Sequence, residues 1–200
     1  MQITNKNYPW PDHWGQKTSI MGIINLTPDS FSDGGDLCSI EKVLNQVNNF
    51  VACGVDVVDL GAQSTRPGAI EIGEKRERQR LLPYLKEIRR EYPNLLISID
   101  TFNSEVAYEA LSNGADWIND VSGGRRDEEI LDVVSKFNCP FVITHSRGDS
   151  LNMNNLNNYD DLLFDIIHSL ENLTSSATKK KVSKDKIIWD PGIGFSKDTN

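Results

Sequence analysis

One pattern constrains this chain more than any other: short apolar runs alternate with longer segments of helical period, and each run gives way to polar side chains. The runs are 19–26, 55–60, 95–99, 117–121, 140–144 and 186–189. Helical patterns fill the gaps: from Ser39 to about Gly54, over 74–91, from Ser104 to Gly114, over 127–137 and over 159–174. Strict βα alternation predicts a parallel sheet with helices packed outside it. The runs are nearly continuous in apolar residues, as strands covered on both faces must be. Two α/β architectures fit, an open doubly wound sheet or a (β/α)8 TIM barrel of about 250 residues. In the barrel, this chain of 200 residues holds only about the first six βα units. Residues 1–18 then read as an N-terminal extension, and 19–200 as a barrel domain incomplete at its C-terminus.

Local signals sharpen these boundaries. Ser39 is placed to cap the first helix and Gly54 to end it. Pro83 lies inside the second helical pattern and predicts a break or kink near Leu82. Leu162, Leu163, Ile166, Ile167 and Leu170 mark one apolar side of the last helix. The stretch 152–158 contains five asparagines and reads as turns.

Bulk properties narrow the partners. A formal net charge of −8 disfavours nonspecific attraction to nucleic acid or to an anionic membrane. An anionic ligand would need a locally positive pocket. No run approaches the ~18 apolar residues of a membrane span, and no signal peptide is visible. Cys38, Cys53 and Cys139 are odd in number and form no CxxC pair. That predicts no disulfide framework, a reducing cytoplasm, and buried, inert thiols at Cys53 and Cys139.

The polar residues gather after successive strand ends: Asn25, Ser64-Thr65-Arg66, Asp100-Thr101, Asn119-Asp120, His145 and Asp190. In a parallel barrel these points share one rim, where active sites of that fold form. Taken singly each has a local explanation, since Asp100 could cap a helix and Asn119 could hold a turn. Arg66 offers a planar fork suited to phosphate, or to a loop salt bridge. Ser64 and Thr65 add hydroxyls, and Gly68 allows close backbone approach. Asn25 offers a neutral oxygen to a Mg²⁺ ion that keeps most of its shell as water and phosphate oxygens. Asp100 and Asp190 can each accept two N–H donors from a guanidine-like ring edge, as a pterin or a guanine presents. No Ser-His-Asp or Cys-His pattern is visible.

Gly22-Ile-Ile-Asn-Leu-Thr-Pro-Asp-Ser-Phe-Ser-Asp-Gly-Gly35 resembles the first signature of dihydropteroate synthase, and Gly61-Ala-Gln-Ser-Thr-Arg-Pro-Gly-Ala69 resembles the second. Ser98–Thr101, Ile118–Gly124 and Asp190–Phe195 are similar to later family segments, in the same order. The resemblance implies a (β/α)8 enzyme of folate synthesis. Such an enzyme condenses 6-hydroxymethyl-7,8-dihydropterin diphosphate with 4-aminobenzoate and releases diphosphate. It further implies Asn25 on Mg²⁺ and the diphosphate, with Thr65 and Arg66 holding the diphosphate. Asp100, Asn119 and Asp190 would hydrogen-bond the pterin, while Phe31, Pro67 and Phe195 shape the aminobenzoate site. Asp100 would also steady a pterin-methyl cation, so that Asp100 and Arg66 carry the chemistry. The family's typical state is a homodimer.

Three departures stand out. Gln63 replaces a glutamate common in the family, and Ser146-Arg147 replaces a Met-Gln-type continuation after His145. The family's Ser-x-Lys and Arg-x-His segments are absent from these residues, which implies an inactive polypeptide without them. A pterin-binding methyltransferase-type domain and an inactive pterin-binding remnant are the alternatives.

Overall fold

Each apolar run forms a strand. In the computed structural model, which describes residues 10–27, 39–63, 71–148 and 152–198, these are β1 (Met21–Asn25), β2 (Val57–Gly61), β3 (Leu96–Asp100), β4 (Trp117–Asp120), β5 (Phe141–Thr144) and β6 (Ile187–Asp190). The intervening helices are α1 (Ile40–Ala52), α2 (Glu74–Glu91), α3 (Ser104–Ser112), α4 (Glu129–Phe137) and α5 (Leu162–Lys179). All strand pairs are parallel, and the sheet order is β1-β2-β3-β4-β5-β6. That order decides between the two architectures. A doubly wound sheet reverses its strand order at a switch point, whereas a barrel lays each strand beside the last. The sheet is a six-strand arc of a (β/α)8 barrel.

The helix ends follow their residues. Ser39 accepts a hydrogen bond from the Lys42 N–H at 3.2 Å, and Gly54 ends the segment at φ +80°. The carboxylate of Asp161 caps α5 by accepting from the Phe164 N–H at 2.9 Å, so this helix starts later than its apolar pattern does. α2 runs unbroken through Pro83. The proline removes one backbone donor, while Leu81, Tyr84, Leu85 and Ile88 bury the adjoining face and hold the helix to the sheet. The expected break does not occur.

Strand register sorts side chains to two faces. Val58 and Leu60 on β2, Ile97 and Ile99 on β3, and Phe141 and Ile143 on β5 point outward into the main core beneath the helices. The inward positions alternate with them. Near the strands' N-terminal ends Val57, Leu96, Trp117 and Val142 form a separate inner cluster, joined by Trp10, Met21 and Ile188. Trp10 and Trp14 close this end, with ring centroids 5.2 and 5.6 Å from Trp117. Beside them Arg89 reaches the carbonyls of Leu95 and Gly114 and pairs with the buried Asp116 carboxylate. Asp116 in turn accepts the Ile97 N–H at 3.0 Å.

Two expectations need correction. α5 packs through Leu170, Leu173 and Ala177, whereas Leu162, Leu163 and Ile167 are exposed. Periodicity defined the apolar side correctly but not which stretch of it is covered. Cys53 is exposed just past the end of α1, while Cys139 is buried and its thiol is pushed up to about 12 by burial. Among the described residues no helix is long and apolar enough to cross a membrane.

Candidate active site

At the strands' C-terminal ends the inner face turns polar. Asn25, Gly61, Asp100 and Asn119 stand in one register row across β1 to β4. The missing side chain at Gly61 makes room for its neighbour, since a Cβ there would lie 3.1 Å from Asp100 Oδ2. Asp190 pairs with Thr144 one inward layer further out. Its carboxylate accepts the Gly192 N–H at 2.8 Å and the Thr144 hydroxyl at 3.3 Å. The structure thus brings Asn25, Asp100, Asn119 and Asp190 to one mouth. Phe195 follows in the turn after β6, where its N–H bonds the Gly192 carbonyl. Phe31, Ser64, Thr65, Arg66 and Pro67 lie outside the described residues.

Directly beneath this row sits a group that strand-end reasoning missed. Asp59 and Ser98 occupy the next inward layer and are paired in register. Asp59 Oδ2 accepts the Asn119 side-chain N–H at 3.1 Å. Asp59 Oδ1, Ser98 Oγ and Asn119 Oδ1 are all buried without a well-formed partner among the described residues. A buried, unpaired polar atom costs about 1–3 kcal/mol. The Ser98 hydroxyl and the Asp59 carboxyl are close enough to influence each other, which leaves Asn119 Oδ1 as the acceptor that a polar ligand can answer.

The electrostatics agree. Burial pushes the Asp100 carboxyl well above the usual range, and the negative charges of Asp59, Glu77 and Asp120 push it further. Asp59 is also raised by burial, against the lowering influence of Ser98 and Asn119. Glu77, on α2, accepts the Asn103 side-chain N–H and is raised chiefly by burial. The mouth is therefore a concentration of poorly compensated carboxylate charge. It suits a ligand that brings N–H donors or develops positive charge.

The loop that carries Asp190 is held by a clamp the sequence did not signal. Lys197 Nζ donates to the carbonyls of Gly192 and Phe195, at 2.8 and 2.9 Å, and contacts His145 Nδ1 at 2.9 Å. His145 Nε2 lies 2.9 Å from Asp165 Oδ1, and Asp165 also pairs with Arg147. Burial lowers both His145 and Lys197. Burial alone would raise Asp165, but hydrogen bonds from Arg147 and His145 outweigh it and hold the carboxylate low. A neutral His145 that donates to Asp165 and accepts from Lys197 satisfies all three. Gly192 is required here, because at φ +63° a Cβ would run into the His145 carbonyl oxygen. Across the mouth, Arg126 pairs with Glu71 and lies 4.1 Å over the Phe102 ring.

Comparison with known proteins places this arrangement among relatives. The profile of the family described as pterin binding enzyme matches residues 21–200. The dihydropteroate synthase of Synechocystis sp. is 42% identical over 184 residues, covering 92% of this chain and 63% of the relative. An Arabidopsis thaliana folate synthesis bifunctional protein is 46% identical over 202 residues, covering 98% of this chain and 42% of the relative. Among solved structures, Yersinia pestis dihydropteroate synthase in a sulfonamide complex superposes with a TM-score of 0.84 at 33% identity, over 90% of this chain and 65% of that one. The Xanthomonas albilineans enzyme with 4-aminobenzoic acid gives 0.83 at 34% identity, over 92% and 64%. The chain spans less than two thirds of the length of each of these four relatives.

Proposed function

The chain belongs to the pterin-binding enzyme family, and we propose that it carries the greater part of a dihydropteroate synthase active site. The reaction joins 6-hydroxymethyl-7,8-dihydropterin diphosphate to 4-aminobenzoate and releases diphosphate. The observation that carries this reading is the acceptor set at the mouth: Asp100, with Asn119 Oδ1 beside it buried and, among the described residues, unpaired, and Asp59 beneath. A dihydropterin presents several N–H donors along its ring edges and answers that set.

In this reading Asp100, Asn119 and Asp190 bind and orient the pterin. Thr65 and Arg66, with Ser64, hold the diphosphate through hydroxyl and guanidinium donors. Phe31, Pro67 and Phe195 shape the aminobenzoate site. The bond between the pterin methylene carbon and the diphosphate oxygen breaks, and its electron pair leaves with the diphosphate. Positive charge then develops on the pterin, next to the Asp100 carboxylate. The neutral arylamine attacks the methylene carbon and afterwards loses a proton. No protein nucleophile is needed.

Magnesium fits the donor set as an ion that arrives with its phosphate. Asn25 supplies one neutral oxygen, and among the described residues no three His, Cys, Asp or Glu side chains gather to hold a metal. When bound, Mg²⁺ would neutralise charge on the leaving diphosphate. Three cysteines without a CxxC pair support a cytoplasmic setting, and the family resemblance supports a homodimer of the whole protein.

The test is multiple-turnover diphosphate release by the protein expressed from its complete reading frame. Release should require Mg²⁺ and both organic substrates. Arg66→Ala should slow it at least about 100-fold. Sustained release without 4-aminobenzoate, or an unimpaired Arg66→Ala variant, would overturn the assignment.

A further inference from the structure

Asp59 lies in mid-strand, 3% exposed, and no bond-making or bond-breaking step above uses it. Among the described residues its bond of good geometry runs to the side chain of Asn119, two strands away, with the Ser98 hydroxyl beside it. The Asn119 side-chain N–H donates to Asp59, and an ionised carboxylate, which accepts hydrogen bonds and donates none, holds the nitrogen end of the amide toward it. The oxygen end is thereby turned away from Asp59, and that oxygen is buried without a partner. Among the described residues the Asn119 backbone carbonyl is engaged by the Thr101 N–H, a bond that leaves the side chain free to turn over.

We infer that Asp59 is a positioning residue that locks the Asn119 amide with its oxygen toward the ligand, so that the pocket selects a ring edge that donates over one that accepts. The inference rests on the pterin-site reading and adds the source of its selectivity. Asn119 is chemically symmetric in shape and opposite in polarity at its two ends. A free asparagine could serve an acceptor on the ligand as well as a donor by rotating half a turn. Asp59 removes that freedom. Ser98, the β3 residue paired with Asp59, is small, so the Asn119 side chain reaches across β3 to make the contact directly.

The experiment compares two ligands of the same shape, pterin (2-amino-4-oxopteridine) and lumazine (2,4-dioxopteridine). They differ in whether the 2-position donates or accepts. Dissociation constants are measured by fluorescence for the protein expressed from its complete reading frame and for Asp59→Asn. The isosteric amide can accept or donate and so no longer dictates the orientation of Asn119. The wild type should favour pterin, and Asp59→Asn should reduce the lumazine-to-pterin ratio of dissociation constants about tenfold. A role in packing alone would weaken both ligands together and leave the ratio unchanged, which would overturn the inference while the pterin-site reading stood. A wild type that binds neither ligand would overturn both. A second measurement covers a variant that fails to fold. In the wild type, the Asn119 side-chain amide protons, assigned by ¹⁵N NMR, should exchange slowly with solvent. Free exchange there would refute the lock.

Discussion

The two ends of the same strands are built on opposite terms. At the N-terminal end the buried carboxylate is paired. Asp116 is 2% exposed, but it is paired with Arg89 and bonded by the Ile97 N–H, and three tryptophans close the surface beside it. At the C-terminal end Asp59 and Asp100 face each other's charge, and among the described residues Asp59 Oδ1, Glu77 Oε1, Ser98 Oγ and Asn119 Oδ1 lack a well-formed partner. An apolar inner cluster also fills the strands' N-terminal side, where Val57, Leu96, Trp117 and Val142 meet. Stability is built into the lower end, and the upper end tolerates electrostatic cost for the sake of a ligand, the division expected of this barrel.

Replacing the central carboxylate tests that contrast most severely. Asp100→Asn should lower the rate of diphosphate release about 100- to 1,000-fold, because it removes the charge that faces the developing cation. The same change should make the fold more stable, with a melting temperature about 2–4 °C higher for about 1 kcal/mol. The pH dependence follows from the direction of the shift. Asp100 is raised in the folded state, so between its unfolded and folded values the native protein holds the extra proton. Wild-type stability therefore falls as pH rises through that window. The advantage of Asp100→Asn should be absent near pH 4 and fully developed once the folded carboxyl has ionised. Thermal melts of both proteins across pH would show it, and an advantage that grows toward acid would contradict the charge argument.

The lower end should respond in the opposite sense. Arg89→Ala leaves the Asp116 carboxylate buried and without its guanidinium, and strips acceptor carbonyls of their donor. Breaking such a pair costs about 3–5 kcal/mol, to be read as a shift in urea midpoint. Pterin affinity in the remaining folded protein should be unchanged. If Arg89→Ala proved as mild as a surface substitution, the view of the lower end as the stabilising one would fail.

How much of this was legible beforehand depends on whether the signal is local. The six strands and five helices are, because a strand run or a helical period is written in adjacent residues, and their bounds hold closely except at α5, whose helical pattern reads as 159–174 while the helix runs Leu162–Lys179. Asn25, Asp100 and Asn119 were legible for the same reason, as polar residues closing apolar runs. Asp59 was not. It sits inside Val57-Val58-Asp59-Leu60, where only the closure of the sheet gives its inward face a purpose. Lys197 is 52 residues from His145 in sequence, and nothing near it announces the contact. The exposed half of α5 shows the same limit, since a periodic pattern identifies an apolar side but not the element that covers it.

The mildest test asks whether the two ends are independent. Trp14 is 41% exposed and meets Trp10 and Trp117 edge-on or tilted, with centroids 4.7 and 5.6 Å away. Trp14→Ala should cost about 1 kcal/mol, the worth of such aromatic contacts, and lower the melting temperature by about 2–4 °C. Trp117 is held from other sides by Val57, Leu96 and Val142, so the strand register that aligns Asn25, Asp100 and Asn119 should survive. Pterin binding should therefore be unaltered. A Trp14→Ala protein that melts earlier and also binds pterin several-fold more weakly would mean that the aromatic closure sets the geometry of the mouth. The two ends would then be one cooperative unit, and the division of labour between them would have to be abandoned.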